Sequence, residues 1–316
     1  MECWVETGRG ETIELPTVVE WSFNYGTGTP CDSFSVTCLW ERGQERKLEE
    51  ACRFYARHNG QRVFTGVVDD YTCTLDAKGG RLEVSGRGMA ALLLDNEALP
   101  VEYQRATAAD IVKGHVAPYG IETVGGGQLR PVSTLTVTSG VSEWSVVQEF
   151  MCYYNGLVPR FDQLGRLVMD KPADETALVV DGTTPVSAFE YRQDRYGVLS
   201  QVVVRRRTAG GTQTMTDEEF TAQGGMARRV ISVPNTTGTA AMRYTGDYQL
   251  KASRSGRVRC SLTVADGFLV WPGQLVKVDW PGFGGNGLYR AAQVQVSCDE
   301  NGLYTRMELG ETDAMI

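Results

Sequence analysis

Two strand-like segments joined by Asn59-Gly60 constrain the fold more than any other feature of this 316-residue chain. Residues 51–58 (ACRFYARH) alternate with the period of two that is typical of a half-buried strand. Asn-Gly supplies the positive φ angles of a type I′ turn, and residues 61–75 (QRVFTGVVDDYTCTL) run back. In a two-residue turn at these positions Cys52 would face Val67. The segment therefore predicts an antiparallel hairpin.

The same pattern continues on both sides of this hairpin and returns near the end of the chain. SFSVTCLW (33–40) alternates, and the DAKGG turn leads into the strand RLEVSG. After residue 256 the chain is again strand-like. We therefore predict a mainly β fold with an α+β insertion, in which residues 1–98 form a first antiparallel β-barrel. Residues 176–207 together with 256–316 form a second one.

The segments between these β-units have a different character. Residues 99–175 predict a small α+β domain, with one helix capped by Thr107 and stopped by Gly120, and a second capped by Ser142. Residues 208–255 are polar and turn-rich, and we interpret them as an insertion of the second barrel. The sequence leaves open whether this insertion is a loop, a small domain or a partner-binding segment.

The two β-units also share a plan, which suggests an internal duplication. VFTGVVDDYTCTLDAKGGRLEVSG and LYRAAQVQVSCDENGLYTRMELG each contain an aromatic residue, a small residue, a long strand, an acidic-glycine turn and a returning strand. The proposed correspondences are Phe64 with Tyr289, Gly66 with Ala291, and Val84 with Met307.

Composition excludes several classes of protein. A hydrophobic content of 42% and a charged content of 22% are those of a globular protein. No apolar run approaches the roughly 20 residues of a membrane-spanning helix, and the N-terminus lacks a signal-peptide pattern, so we expect cytoplasmic folding. The eight cysteines form no CxxC pair, which argues against a zinc site and for reduced, buried thiols. They are Cys3, Cys31, Cys38, Cys52, Cys73, Cys152, Cys260 and Cys298.

The segment from Gly86 to Ala91 (GRGMAA) is the one most like a cofactor site, because it follows a strand and begins a helix. However, the preceding strand alternates, whereas a buried parallel strand is a continuous apolar run. It also arrives by a short turn from an antiparallel partner, and the helix ends before Pro100. We interpret the glycines as a tight turn into a packing helix and expect no cofactor.

The carboxylates and histidines do not form a catalytic pattern. Asp69 and Asp70 are adjacent on a strand, so their side chains point to opposite faces. His58 lies beside a turn, and His115 shares a helical face with apolar residues, which favours a packed histidine over a base. No GxSxG elbow is present. We expect no catalytic residue, no cofactor-binding residue and no metal ligand, and hence no enzyme.

Basic residues are concentrated in residues 192–259, which hold 12 basic and 5 acidic side chains. Arg205-Arg206-Arg207 ends a strand, and Arg254, Arg257 and Arg259 alternate poorly. Nucleic-acid readout usually needs basic and aromatic residues interleaved on one face, a pattern that these residues lack. A solvated basic face is the better interpretation.

Three segments in this order resemble the baseplate hub proteins of contractile-tailed phages, including Mu-like types, and their relatives in prophages, tailocins and other contractile injection systems. They are QRVFTGVVDDYTCTLDAKGGRLEVSGRGMAALLLDNEA, TAADIVKGHVAPYGI and WSVVQEFMCYYNGLVPRFDQLGRLV. The recurring elements are VFTG.V.D, L.V.GR....LL.DN, A.DI......PYGI and PR.D..G.L. The resemblance covers most of the chain and is weakest over residues 205–255.

This resemblance implies a structural protein that assembles as a homotrimer. Each subunit of the family carries two tail-tube-like barrels, so three subunits form a pseudo-sixfold ring that joins a hexameric tail tube to a trimeric central spike. The implied partners are the tube or tube-initiator protein, a separate spike protein and the tape measure protein, with DNA only as passing cargo and no membrane insertion. The implied location is the virion tail baseplate or an injection particle, assembled in the host cytoplasm.

Composition adds one hypothesis to this picture. Residues 1–175 carry 16 basic and 25 acidic side chains, and this acidic excess could line the channel of the ring and repel DNA phosphates.

Three other functions stay open on the sequence. A cell-wall hydrolase could use carboxylates such as Asp69 or Glu83. A carbohydrate-binding or adhesion module at a tail tip could use Trp271 and Trp280. A distal tail or hub protein of a non-contractile phage would share the same barrels.

Overall fold

A computed structural model describes residues 1–27, 32–77, 79–208, 210–235 and 237–313. The first β-unit is antiparallel and contains two short helices. Its hydrogen-bonded strand order is β3-β4-β7-β6-β5-β1-β2. The elements are β1 (Glu2–Thr7), β2 (Thr12–Glu14), β3 (Val18–Gly26), β4 (Ser33–Leu39), α1 (Gln44–Leu48), β5 (Ala51–His58), β6 (Gln61–Asp76), β7 (Gly79–Gly88) and α2 (Ala91–Leu94).

The predicted hairpin is formed by β5 and β6, but one detail of its register was wrong. Asn59 and Gly60 both have positive φ, at 49° and 79°, as a type I′ turn requires. Val67 nevertheless pairs with Arg53 and not with Cys52. The pairing shifts between Ala56 and Arg57, because β6 carries one extra residue there as a β-bulge. A register counted from the turn alone cannot anticipate such a bulge.

The α+β segment has the predicted helix boundaries. Thr107 caps α3 by accepting a hydrogen bond from the Asp110 backbone N–H (3.2 Å), and Gly120 ends the helical run at φ 70°. A π-helical turn (Val112–Val116) and a 3₁₀ turn (Ala117–Tyr119) extend α3, and a π-helical segment (Glu149–Tyr154) extends α4. The elements are β8 (Val101–Tyr103), α3 (Ala108–Ile111), β9 (Thr123–Val124), β10 (Leu135–Val137), α4 (Glu143–Gln148), β11 (Arg160–Phe161) and β12 (Leu167–Val168).

The remainder of the chain contains the second β-unit and its insertion. β14, β18, β21 and β20 follow one another in the large sheet, and β19 joins β13 to β20. The elements are β13 (Thr176–Asp181), β14 (Val186–Gln193), β15 (Gln201–Arg206), β16 (Thr212–Thr216), α5 (Glu218–Ala222), β17 (Arg228–Val233), α6 (Thr239–Arg254), β18 (Val258–Val264), β19 (Leu275–Asp279), β20 (Gly287–Asp299) and β21 (Gly302–Gly310).

The polar insertion is a small α+β unit. β15 pairs with β16 and β17, not with the second β-unit, so the boundary expected at residue 207 falls inside this small sheet. The 16-residue helix α6 packs on the sheet through Met242, Gly246 and Leu250, which recur every four residues. These three are the buried positions of the helix, and they include only two large apolar side chains, which explains why the sequence reads as polar.

The two β-units join into one 13-stranded sheet, because β20 of the second unit pairs with β3 of the first. One hydrophobic core contains side chains of both units, and the α+β segment has a core of its own. The fold is therefore mainly β with an α+β insertion, as expected. Within the described residues, none of the helices is long and apolar enough to cross a membrane.

Candidate assembly surface

The suspected duplication extends to the hydrogen-bond register of the two main hairpins. Val68 pairs with Gly86 in the first unit, and Ala291 pairs with Leu309 in the second. Ala291 follows Val68 in the sequence by the same number of residues as Leu309 follows Gly86. The next pair shifts by one position in both hairpins, so both contain a bulge at the same place. A bulge repeated at one position indicates two copies of one structural unit.

A second bulge is repeated in the neighbouring strand pair. β3 shifts against β4 between Val18 and Glu20, and β14 shifts against β18 between Val186 and Ala188. β14 is therefore the counterpart of β3, with Val186 in the place of Val18.

This register corrects part of the alignment made from sequence. Val84 does correspond to Met307, but Gly66 corresponds to Tyr289 and not to Ala291. The aromatic and small residues had been matched two positions out of register. The turn residue Lys78 lies outside the described residues.

Gly86 of the GRG segment and Gly66 on the neighbouring strand β6 are required by strand packing. A Cβ atom on Gly86 would lie 2.0 Å from the Val67 carbonyl oxygen, and one on Gly66 would lie 2.2 Å from the Arg87 carbonyl oxygen. Both contacts are with backbone, which cannot move aside as a side chain can. Glycine is therefore needed because β6 and β7 approach closely beside the bulge, and this close approach accounts for the segment without a phosphate ligand.

Arg87 binds two carboxylates of this chain. Its Nε and Nη2 atoms donate to the two Asp69 carboxylate oxygens at 2.7 and 2.9 Å, and Nη1 and Nη2 donate to those of Asp95 at 2.9 and 2.7 Å. These bonds, with Asp69 first, raise the pKa of Arg87, and Arg87 lowers the pKa of Asp95. Asp69, once a candidate catalytic carboxylate, thus anchors the end of β7 to the bulge of β6.

His115 belongs to a buried hydrogen-bond network. Its Nδ1 atom lies 2.6 Å from Glu143 Oε2 and its Nε2 atom 2.9 Å from the Tyr103 hydroxyl, and Tyr119 donates to Glu143 Oε1 at 3.0 Å. His115 and Glu143 are only 3% and 6% exposed. The packed histidine expected from sequence is present, and sequence reasoning missed its acidic partner because Glu143 lies on another helix, far along the chain. The bond between His115 and Glu143 is buried, while the two tyrosines are partly exposed, and the network stabilises the α+β segment.

The residues invoked by the alternative functions do not come together. Glu83 lies opposite Thr72 and accepts a hydrogen bond from Ser35 Oγ at 3.2 Å, whereas the Asp69 carboxylate binds Arg87. Trp271 and Trp280 are partly buried and pack against the main core, and Trp271 contacts Tyr25 edge to face at 5.0 Å. No pair of these aromatics forms an exposed stacking platform.

His58 likewise packs among aromatic rings. Its ring centroid lies 5.1 Å from that of Phe268, and burial lowers the pKa of the imidazole.

The described cysteines differ in burial: four are buried, Cys52 and Cys298 are partly buried, and one is exposed. Among the described cysteines, Cys3, Cys38, Cys152 and Cys260 are buried, whereas Cys73 is exposed and does not fit the expected burial. Cys31 lies outside the described residues. No group of three or more potential metal ligands is found in the described ranges.

Two of the predicted basic residues join the insertion to the second β-unit. Arg257 is buried and donates from Nε to both Glu311 carboxylate oxygens at 3.2 Å, and it also donates to Glu219 at 3.3 Å. Arg254 binds Glu219 at 3.0 Å. These arginines are therefore occupied by intramolecular ion pairs, while the arginines on β15 and β17 lie largely at the surface.

A continuous polar face runs across both β-units, opposite the main core. Ser22 and Ser297 share a hydrogen bond between their hydroxyls at 2.9 Å, and Gln295 donates to Ser22 at 3.1 Å, so the face crosses the junction between the units. Charged side chains of both signs lie on it. They include Glu20, Glu83, Glu308, Arg81 and Arg306.

Two strand edges that bear on assembly are open within the described part of the chain. β6 pairs with β7 along its length, but its pairing with β5 ends at Val67, so residues 70–75 have one open side. β14 pairs with β18 alone. An open edge of this length is a template for pairing with another strand.

The same fold occurs in solved structures of tail proteins. The 43 kDa tail protein of prophage MuSo2 from Shewanella oneidensis has a TM-score of 0.83 and 18% identity to this chain, and the match covers 100% of both chains. The tail protein from Neisseria meningitidis MC58 has a TM-score of 0.79 and 18% identity, over 99% of this chain and 97% of that one. The tail-protein fold implied by the sequence resemblance is thereby confirmed.

A component of a secretion system shares the fold more distantly. The Escherichia coli c3393 protein, part of the type VI secretion system and structurally similar to T4 bacteriophage tail proteins gp27 and gp5, has a TM-score of 0.59 at 12% identity, over 95% of this chain and 75% of that one. No protein-family model matches the sequence, and no curated protein matches it.

Proposed function

We propose that this chain is a structural baseplate hub protein of a contractile tail or related injection particle. As a homotrimer it joins a hexameric tail tube to a trimeric central spike and encloses the channel through which DNA or other cargo passes. The observation that carries this proposal is the duplicated β-unit, with the same two bulges in each copy. Three chains with two units each present six similar units, which matches the symmetry of a hexameric tube on one side and a trimeric spike on the other.

In this proposal the polar face lines the channel. Uncharged groups such as the Ser22 hydroxyl and the Gln295 amide carry no positive charge that would attract phosphates. Glu20 and Glu83 repel them, and Arg81 partly offsets that repulsion. The chain has no catalytic role, and its partners are the tube or tube-initiator protein, the spike protein and the tape measure protein.

Co-purification tests the joining role. The chain is expressed together with the tail tube protein and the spike protein of the same particle, and complexes are isolated through a tag on the spike. We expect a complex that contains this chain and spike in equal numbers and that also retains tube protein. A spike that binds tube directly and leaves this chain unbound would contradict the proposal.

A further inference from the structure

The two open edges correspond to two strand edges that pair with each other within the chain. In the second unit, β20 pairs with β19 near its start and with β3 from Gln293 to Cys298. In the first unit, β6 is the counterpart of β20, and its residues 70–75 correspond to 293–298. β14 is the counterpart of β3. Each open edge therefore lacks the partner that its counterpart has.

We propose that residues 70–75 of β6 pair antiparallel with β14 of a second copy of this chain, in the register that β20 adopts with β3. This inference deepens the proposed hub function and rests on it. Replacing each residue of the β20–β3 ladder by its counterpart in the other unit gives the contacts. They are Asp70 with Asp194, Tyr71 with Gln193, Thr72 with Arg192, Cys73 with Tyr191, Thr74 with Glu190, and Leu75 with Phe189.

The side chains on one face of this ladder agree with the register. Leu75 is 73% exposed and Tyr191 is 39% exposed, and Cys73 is exposed as well. The register sets Cys73 opposite Tyr191 and Leu75 opposite Phe189, so apolar side chains face one another across the two strands. A shift by one position would instead place Cys73 opposite a charged side chain, either Arg192 or Glu190.

The counterpart positions show what this face becomes when it is paired. Val296, the counterpart of Cys73, and Phe23, the counterpart of Tyr191, face each other in the chain and are both fully buried. The exposed apolar side chains at the open edges thus occupy positions that are core positions in the other unit.

The opposite face of the ladder is polar in both strands. Thr72 lies opposite Arg192, as Gln295 lies opposite Asn24 within the chain. The like-charged pair of Asp70 and Asp194 stands at the end of the ladder, where Arg192 already binds Asp194 at 3.0 Å. This face continues the polar face across the boundary between copies.

The contact is head to tail, because it joins an edge of the first unit to a different edge of the second. Such a contact repeats from copy to copy, and it closes into a ring when the rotation per copy divides a full turn. Within one chain the two edges lie seven strand steps apart, about 34 Å along the sheet. A covalent link that joins two copies is recognised by the larger mass of the product.

Disulfide trapping tests the register, because Cys73 is already present at one edge. Facing residues in an antiparallel ladder have Cα atoms about 4.5–5.5 Å apart, which suits a disulfide. Mild oxidation of Y191C should link Cys73 of one copy to the introduced thiol of the next. On a non-reducing gel the 34.7 kDa band should shift to a trimer of 104 kDa, three chains, with no longer ladder.

Matched variants separate register from chance oxidation. Y191C/C73S and R192C should not link, since the first lacks one thiol and the second points its thiol to the other face. T72C/R192C/C73S should link, and it leaves Tyr191 intact if Y191C fails to fold. Equal linking by R192C and Y191C would overturn the register.

The outcomes also distinguish this inference from the hub proposal. A protein that is trimeric in solution but links in neither pair keeps the hub role and overturns the strand pairing. Linked products that extend beyond trimers support the pairing and contradict a closed ring of three. A monomer that links in neither pair contradicts both.

Discussion

Replacing Gly86 by alanine tests whether the GRG segment is strand packing or a ligand site. The added Cβ would lie 2.0 Å from the Val67 carbonyl oxygen and 2.8 Å from the Phe34 ring. An ordinary contact needs about 3.4 Å, so β6 and β7 must separate by more than about 1 Å at a paired position. Overpacking commonly costs about 1–3 kcal/mol, and a clash with backbone belongs at the upper end of that range, so we expect a loss of about 3 kcal/mol in the free energy of unfolding.

Urea unfolding followed by circular dichroism measures this change, with Gly8→Ala as the matched control. Nothing lies within 4 Å of a Cβ atom on Gly8, so that variant should stay within about 0.5 kcal/mol of the parent protein. Equal stability of the two variants would refute the packing argument. So would a parent protein that binds a dinucleotide and loses that binding in a folded Gly86→Ala variant.

Three further perturbations follow from the described contacts. Glu143→Ala should lower the free energy of unfolding, measured in urea, by about 2–4 kcal/mol, because His115 Nδ1 and the Tyr119 hydroxyl lose a buried acceptor. Glu143→Gln should lower it less. An unchanged urea midpoint for Glu143→Ala would contradict the network. Burial raises the pKa of Asp32 to about 7 from an ordinary value near 3.8. The protonated carboxyl therefore stabilises the fold fully below pH 4, and the free energy of unfolding falls as pH rises to 7, by up to about 1.4 kcal/mol per pH unit. In thermal melts between pH 4.5 and 7.5, Asp32→Asn should remove this dependence of stability on pH. An unchanged pH dependence would contradict the assignment to Asp32. Cys73 should react first with a thiol reagent, as located by peptide mass spectrometry, and should be protected on assembly, whereas first reaction at buried Cys260 would contradict the described exposure.

The parts of the fold that sequence predicted are those with strong local signals. The type I′ turn at Asn59-Gly60 and the caps Thr107 and Ser142 depend on a few adjacent residues, and all three are present. The order of the family-like segments also predicted the tail-protein fold.

Features set by distant contacts were not predictable in the same way. The bulge beside Ala56 was missed because an extra residue in a strand leaves no local signature. The two-residue error at Gly66 arose because Tyr289 and Ala291 repeat the aromatic and small residues of the first unit two positions later than the strand register places them. The bond between His115 and Glu143 joins two helices that are distant in sequence. Helix α6 was missed because its apolar stripe is narrow.

The open edges were also beyond sequence reasoning. Residues 70–75 and β14 look like ordinary strands in sequence, and their open sides become visible only when the two units are compared. The exposed Leu75 and Cys73 were the available signal, since an apolar row on an edge strand is unusual in a chain that stays alone.

The native mass of the purified chain, combined with negative-stain images of the same sample, tests the central claim most directly. The account predicts a species near 104 kDa, three chains of 34.7 kDa, that images as a threefold ring with a central hole. A chain that stays monomeric at high concentration and in the presence of its tube and spike proteins would contradict it.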